Sequence, residues 1–191
     1  MFETLADWDR ELFIYLNSLG SDNFDAFWIF VTQIESWTFL FVFFILIIFK
    51  FYKKKEALWV VAFTILTFLV SFGLKYITKT SVQRLRPNNV PELSETIRVL
   101  QFPVDFSFFS GHASVSFAVT TFVVFSLRKF TKWVYMFYLW PILFSFSRIY
   151  VGVHYPVDIL VGAMVGTFSA LLFYKLHQRF IIPYLASTRP L

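Results

Sequence analysis

The chain has 191 residues, 58% hydrophobic and 23% aromatic, with no cysteine and a formal charge of +5. A soluble domain is nearer about 45 to 50% apolar, so this composition and a mean hydropathy of +0.65 exclude an ordinary soluble globule and predict an all-α, polytopic helical membrane protein. The missing cysteines exclude disulfide and thiolate chemistry, and the length suits one domain over residues 1–191.

In chain order, Glu3, Asp7 and Asp9 precede any long apolar run, so the start lacks the basic n-region of a cleaved signal peptide. Leu5, Trp8, Leu12, Phe13, Leu16 and Leu19 then recur at helical spacing, with Asp7, Asp9, Arg10 and Glu11 on other faces. Two readings fit this pattern: a helix lying on the membrane surface, or one packed against the bundle. A second apolar segment from Phe24 to Ile34, interrupted by Gln33, Glu35 and Ser36, reads either as interfacial, closing an N-terminal interfacial region over residues 1–36, or as a deep extension of the first span. Five apolar stretches follow: Trp37 to Tyr52, Ala57 to Ile77, Ala113 to Leu127, Trp133 to Phe146 and Val157 to Tyr174. Several are shorter than the roughly 20 residues that span a bilayer, but aromatic and polar flanks extend them into the interface. Five crossings are expected.

Five crossings place the chain ends on opposite sides. One side carries Lys50, Lys53, Lys54, Lys55, Arg128, Lys129, Lys132, Lys175, Arg179 and Arg189 against a single acid, Glu56. The other carries Arg10, Lys75, Lys79, Arg84, Arg86, Arg98 and Arg148 with the remaining acids. Lys and Arg in short loops mark the cytoplasmic side, so the N-terminus is expected outside and the C-terminus inside. The expected location is the bacterial cytoplasmic membrane.

Three polar constellations then share the outer face. The first is Lys79, with Arg86-Pro87 seven and eight positions on and Arg84 between them. Cations at a helix end commonly snorkel to the interface, but an Arg fork and a Lys point charge also suit phosphate oxygens. The second is Ser110-Gly111-His112, where a loop meets the third apolar stretch. Ser110 and Gly111 read either as simple capping or as the anion site of a helix N-terminus, and His112 beside them is a proton donor near neutral pH. The third is Ser147-Arg148 followed by His154 and Asp158. Asp158 falls in the first turn of the last apolar helix, where it either complements the dipole or accepts a hydrogen bond from one nitrogen of His154, freeing the other to attack. Ser147 reads equally as a helix-end residue or a substrate contact. Charged residues at bilayer depth are costly without partners or water, so something polar must gather there.

In order and spacing these residues resemble the type 2 phosphatidic acid phosphatase superfamily, whose signature is Lys-x6-Arg-Pro, Pro-Ser-Gly-His and Ser-Arg-x5-His-x3-Asp. The match runs from Lys79 to Asp158 and departs only at Phe109, which stands where the family has Pro. The resemblance implies that Lys79, Arg86 and Arg148 bind phosphate with Ser110 and Gly111 completing the cradle, that His154 is the nucleophile, Asp158 its orienter and His112 the general acid, and that neither metal nor cofactor is needed. The loop acids Glu92, Glu95 and Asp105 are expected to be solvated rather than to hold a cation. A lipid phosphate or diphosphate in the bilayer is the expected substrate, and nucleic acid is not an expected partner. Undecaprenyl diphosphate, phosphatidylglycerol phosphate, phosphatidic acid and lipid A phosphates all qualify; an outward site favours the undecaprenyl carrier or lipid A. A non-catalytic lipid or anion transporter is the rival from another class, and a vanadium-dependent oxidant is a second.

Overall fold

The computed structural model describes residues 2–187, without the side chains of Phe2 and Glu3. Arg189 and the Glu3 side chain, both used above, lie outside the described part. The described residues are helical with no strand: α1 (Phe2–Ser18), α2 (Asp22–Thr32), α3 (Thr38–Phe51), α4 (Lys54–Val82), the short α5 (Pro91–Ser94), α6 (Gly111–Leu127), α7 (Leu139–Tyr150), α8 (Pro156–Leu176) and α9 (Ile182–Ser187). Every apolar stretch of the sequence holds a helix, except that the stretch from Trp133 begins as a 3-10 turn over Lys132–Tyr138 before α7. By length and composition two helices, those beginning at Lys54 and Pro156, are able to cross a bilayer. A third crossing results if α2 and the helical segment Glu35–Phe51 form one span bent by 71°. The protein is an integral membrane protein.

Helix α6 lies at the centre. It is apolar or small on all sides, as a helix surrounded by others must be, and it packs most extensively on α8 and also on α4, α7 and α3. Phe122, Val123, Val124 and Leu127 of α6 form the main core with Phe44, Ile48, Trp140 and Phe144. Its contact with α8 depends on Gly162 and Gly166, one turn apart. A Cβ on Gly162 would lie 2.6 Å from the Ser110 carbonyl oxygen, and one on Gly166 2.0 Å from that of Ser114. Small residues at this spacing let two membrane helices approach backbone to backbone, which draws the start of α6 against the start of α8. The Ser110 amide accordingly donates to the Asp158 carbonyl at 2.9 Å.

Helix α1 turns Asp9, Phe13 and Asn17 inward, each at most 5% exposed, and packs on α7 and α8. Phe13 meets the Tyr155 ring edge to face, and Asn17 Nδ2 donates to the carbonyls of Arg98, Ile149 and Tyr150. The packing alternative is therefore realised, while Leu5, Trp8, Leu12 and Leu19 stay on the outside. Asp9 belongs to the packed face rather than to the solvated one that the residue pattern suggests.

Candidate active site

The three constellations converge at one end of the bundle around a cavity of about 530 Å³. Lys79 enters from the last turn of α4, Gly111 and His112 from the start of α6, Arg148 from the end of α7, and Arg86, Asp105 and His154 from loops. Ser110 and Asp158 are fully buried and do not line it. Ser110 caps α6, its Oγ accepting from the Ala113 amide at 3.4 Å. Ser147 is occupied too, its Oγ donating to the Phe144 carbonyl at 2.7 Å, so it is a helix residue here.

His154 sits in the turn between α7 and α8, 1% exposed. Its Nδ1 is 3.2 Å from Asp158 Oδ2, and its Nε2 is 2.9 Å from Arg86 Nη1. A guanidinium only donates, so Nε2 must accept and the imidazole proton must be on Nδ1, donated to Asp158. Asp158 is locked in turn. Its Oδ2 also accepts from Ser107 Oγ and from the Tyr155 amide at 3.0 Å, which completes a capping box on α8, and its Oδ1 pairs with Arg84 Nη1 at 2.8 Å. Capping and orienting, posed as alternatives by the sequence, are thus done by one carboxylate. Burial first, then the charges of Arg86, Arg148 and Lys79, push the His154 pKa well below its ordinary 6.5, which keeps the Nε2 lone pair free of a proton.

The cations are organised by groups no motif contains. Asp105 bridges Lys79 Nζ at 3.1 Å and Arg86 Nη2 at 2.5 Å, and the neighbouring Arg86 and Lys79 charges overcome its partial burial to hold its pKa at about 2. Asp105 stays half exposed, as a loop acid is expected to, but it also meets two cations of the site. Arg86 further donates from Nε to the Asp105 carbonyl and from Nη1 to that of Val153. Arg148, 4% exposed, donates from Nη1 to Thr32 Oγ1 at 2.5 Å and Gln101 Oε1 at 2.7 Å, while its buried Nε has no hydrogen-bond partner. The segment before Gln101 runs close against the end of α7: Gly152, at φ +82, has the Arg98 carbonyl within 2.3 Å of where a Cβ would be, and the Leu100 amide donates to the Val151 carbonyl at 3.1 Å. His112 Nε2 lies 3.3 Å from the Thr32 carbonyl, its ring 4.5 Å from that of Phe144.

Arg84, Asp9 and Ser107 support the site from outside its motif residues. Arg84 stood among the cations of its loop, yet it spans Asp158 and Asp9, with Asp9 Oδ2 at 2.7 Å, and stacks 3.9 Å over the Tyr155 ring. Asp9 Oδ1 accepts from the Val157 amide at 2.8 Å. Spacing marks Arg84 as a cation two places before Arg86 but not what it holds; Asp9 lies 75 residues from it and Ser107 follows no motif.

A helical membrane protein with buried cations around a neutral, oriented histidine is suited to phosphoryl chemistry. Comparison with known proteins places it: the PAP2 superfamily model matches residues 62–182. Over 182 residues the chain is 33% identical to a lipid A 4'-phosphatase of Bacteroides thetaiotaomicron, covering 91% of this chain and 79% of that protein. Over 109 residues it is 32% identical to an undecaprenyl-diphosphatase of Sulfolobus acidocaldarius, covering 56% of this chain and 50% of the other. A PAP2 type phosphatidylglycerolphosphate phosphatase from Bacillus subtilis, 22% identical, has the same fold, with a TM-score of 0.70 over 93% of this chain and 88% of its own. The chain belongs to the PAP2 superfamily and is a phosphatase.

Proposed function

We propose that this protein, acting as one membrane-embedded unit, removes phosphate from a lipid phosphate or diphosphate on the extracytoplasmic face of the cytoplasmic membrane. One observation carries the lipid part. A second, apolar cavity of about 300 Å³ lies between α3, α4 and α6 and shares Ile34, Phe68 and Val115 with the polar one. A phosphate headgroup fits at one end and a hydrocarbon tail at the other. The relatives' names support lipid A 4'-phosphate as the first substrate to test, since that likeness spans most of the chain; undecaprenyl diphosphate comes second, supported by a shorter match.

In this reading the arriving phosphoryl group takes Arg86 from His154 Nε2 and from Asp105, and fills the unpaired Nε of Arg148. His154 Nε2 attacks phosphorus, the bond to the leaving oxygen breaks, and His112, which takes up a proton once the phosphoryl anion offsets the charges of Arg148 and Arg86, gives that oxygen a proton. The Nδ1 proton stays directed at Asp158, which stabilises the positive charge on the ring. Water then attacks the phosphohistidine, surrendering a proton to His112, and the phosphorus–nitrogen bond breaks to release phosphate. Lys79, Arg86 and Arg148, helped by the start of α6 at Ser110 and Gly111, offset the charge on the phosphoryl oxygens throughout. These roles need no metal.

Phosphate release from lipid A, undecaprenyl diphosphate, phosphatidylglycerol phosphate and phosphatidic acid, with EDTA present, is the test. The purified protein should act on at least one, and His154→Ala should reduce release by roughly a thousandfold or more. Lipid movement without phosphate release would favour the transporter reading instead.

A further inference from the structure

One face of α4 lines both cavities in succession. Val61, Ile65 and Phe68 border the apolar one, and Phe68, Phe72, Lys75 and Lys79 border the polar one. Lys75 therefore stands between the tail groove and Lys79, about 6 Å along the axis from the latter. It differs from the other cavity cations. Lys79 and Arg86 share Asp105 and Arg148 holds Thr32 and Gln101, whereas Lys75 makes neither an ion pair nor a hydrogen bond among the described residues. Its ammonium rests 4.0 Å from the centroid of the Phe72 ring. Its stem crosses the first residue of α6, where a Cβ on Gly111 would lie 2.5 Å from Lys75 Cδ, and His112 is the next residue along. A half-buried ammonium inside a membrane helix is costly unless something anionic meets it.

We propose that Lys75 forms a second anion subsite on the tail side of the scissile phosphoryl group, and that its ligand is the inner phosphate of a lipid diphosphate. The proposal rests on the phosphatase reading above, and it reverses the order of substrates that the relatives' names support, because lipid A 4'-phosphate is a monoester with no inner phosphate for Lys75. With the terminal phosphoryl group against Lys79, Arg86 and Arg148 and the tail in the apolar groove, the next group toward the tail passes Lys75. When His154 Nε2 bonds to the terminal phosphorus, the bridging phosphorus–oxygen bond breaks and its electron pair goes to the bridging oxygen, leaving a lipid monophosphate. The new charge spreads over that phosphate's oxygens, with Lys75 facing them and His112 supplying the proton. A monoester with the same tail leaves as an alcohol and offers Lys75 no second anion. Lys75 therefore discriminates by the leaving group, while Lys79 serves every substrate.

The test compares farnesyl diphosphate with farnesyl phosphate, using full-length protein in detergent with EDTA, the readout being inorganic phosphate. In the wild type the ratio of kcat/KM for the diphosphate over the monophosphate should exceed roughly ten, the scale of one charge-assisted hydrogen bond. Lys75→Met should bring the ratio near one, and Lys75→Arg should keep most of it. An unchanged ratio in Lys75→Met, or a wild type that hydrolyses the monophosphate at least as well, overturns the proposal and leaves the phosphatase reading standing. A wild type that releases phosphate from neither farnesyl compound nor from any lipid of the wider panel overturns that reading, and this proposal with it.

Discussion

His154 has one tautomer open to it, because Arg86 donates to Nε2 and Asp158 accepts from Nδ1. Burial, reinforced by Arg86, Arg148 and Lys79, moves its pKa well below 6.5, so the ring should stay neutral as pH falls through 6.5, where a solvated histidine gains its proton. Nitrogen-15 spectra of labelled imidazole should show His154 protonated on Nδ1 alone from pH 8 down to 6.5; an imidazolium at pH 6.5 or above would contradict the assignment. The linkage has the opposite sign for stability. Below 6.5 the unfolded chain takes up a proton that the folded site refuses, so this residue makes folding less favourable as pH falls. The motif residues were legible in the sequence because their order and spacing are set by chemistry that recurs. Asp105, Thr32 and Gln101 were not, since each joins the site only through a fold that returns a loop or helix end to it.

At the scale of elements, α1 is tied to the reaction centre by Asp9. This one carboxylate holds Arg84, which holds Asp158, and also accepts from the Val157 amide at the start of α8. Asp9→Ala removes both contacts and leaves Arg84 with one acid, a loss of about 3 kcal/mol on the scale of broken buried ion pairs. Asp9→Asn keeps an acceptor for the Val157 amide. Thermal unfolding should therefore rank wild type above Asp9→Asn and Asp9→Ala lowest; equal stability of the two variants would show that the amide contact contributes nothing. The amphipathic spacing predicted a helix here but set Asp9 on a face other than the one that packs. Periodicity reports apolar faces, whereas α1 buries a mixed face whose acid is satisfied only by Arg84 and α8. Similarly, the spacing of Gly162 and Gly166 marks a close contact in hindsight, but only the α6 carbonyls beside them identify the neighbour.

For the whole molecule, the charge asymmetry of the loops predicts that the site faces away from the cytoplasm. The chain has no cysteine, so single-cysteine variants report topology without background. In intact cells Asn89→Cys, beside the site, should react with a membrane-impermeant maleimide, while Lys54→Cys should react only after the membrane is opened. The reverse pattern would turn the protein over. The number of crossings was less legible than the convergence of the motifs, since the bend between α2 and α3 breaks the relation between apolar length and span.

The most direct measurement of the central claim is capture of the covalent intermediate. Protein incubated briefly with a phosphorus-32-labelled lipid phosphate or diphosphate in EDTA, then denatured in alkali, should carry label that is stable to base and lost in acid. Peptide mapping should place it on His154, and His154→Ala should carry none. Continued hydrolysis by His154→Ala, or label on a different residue, would contradict the account.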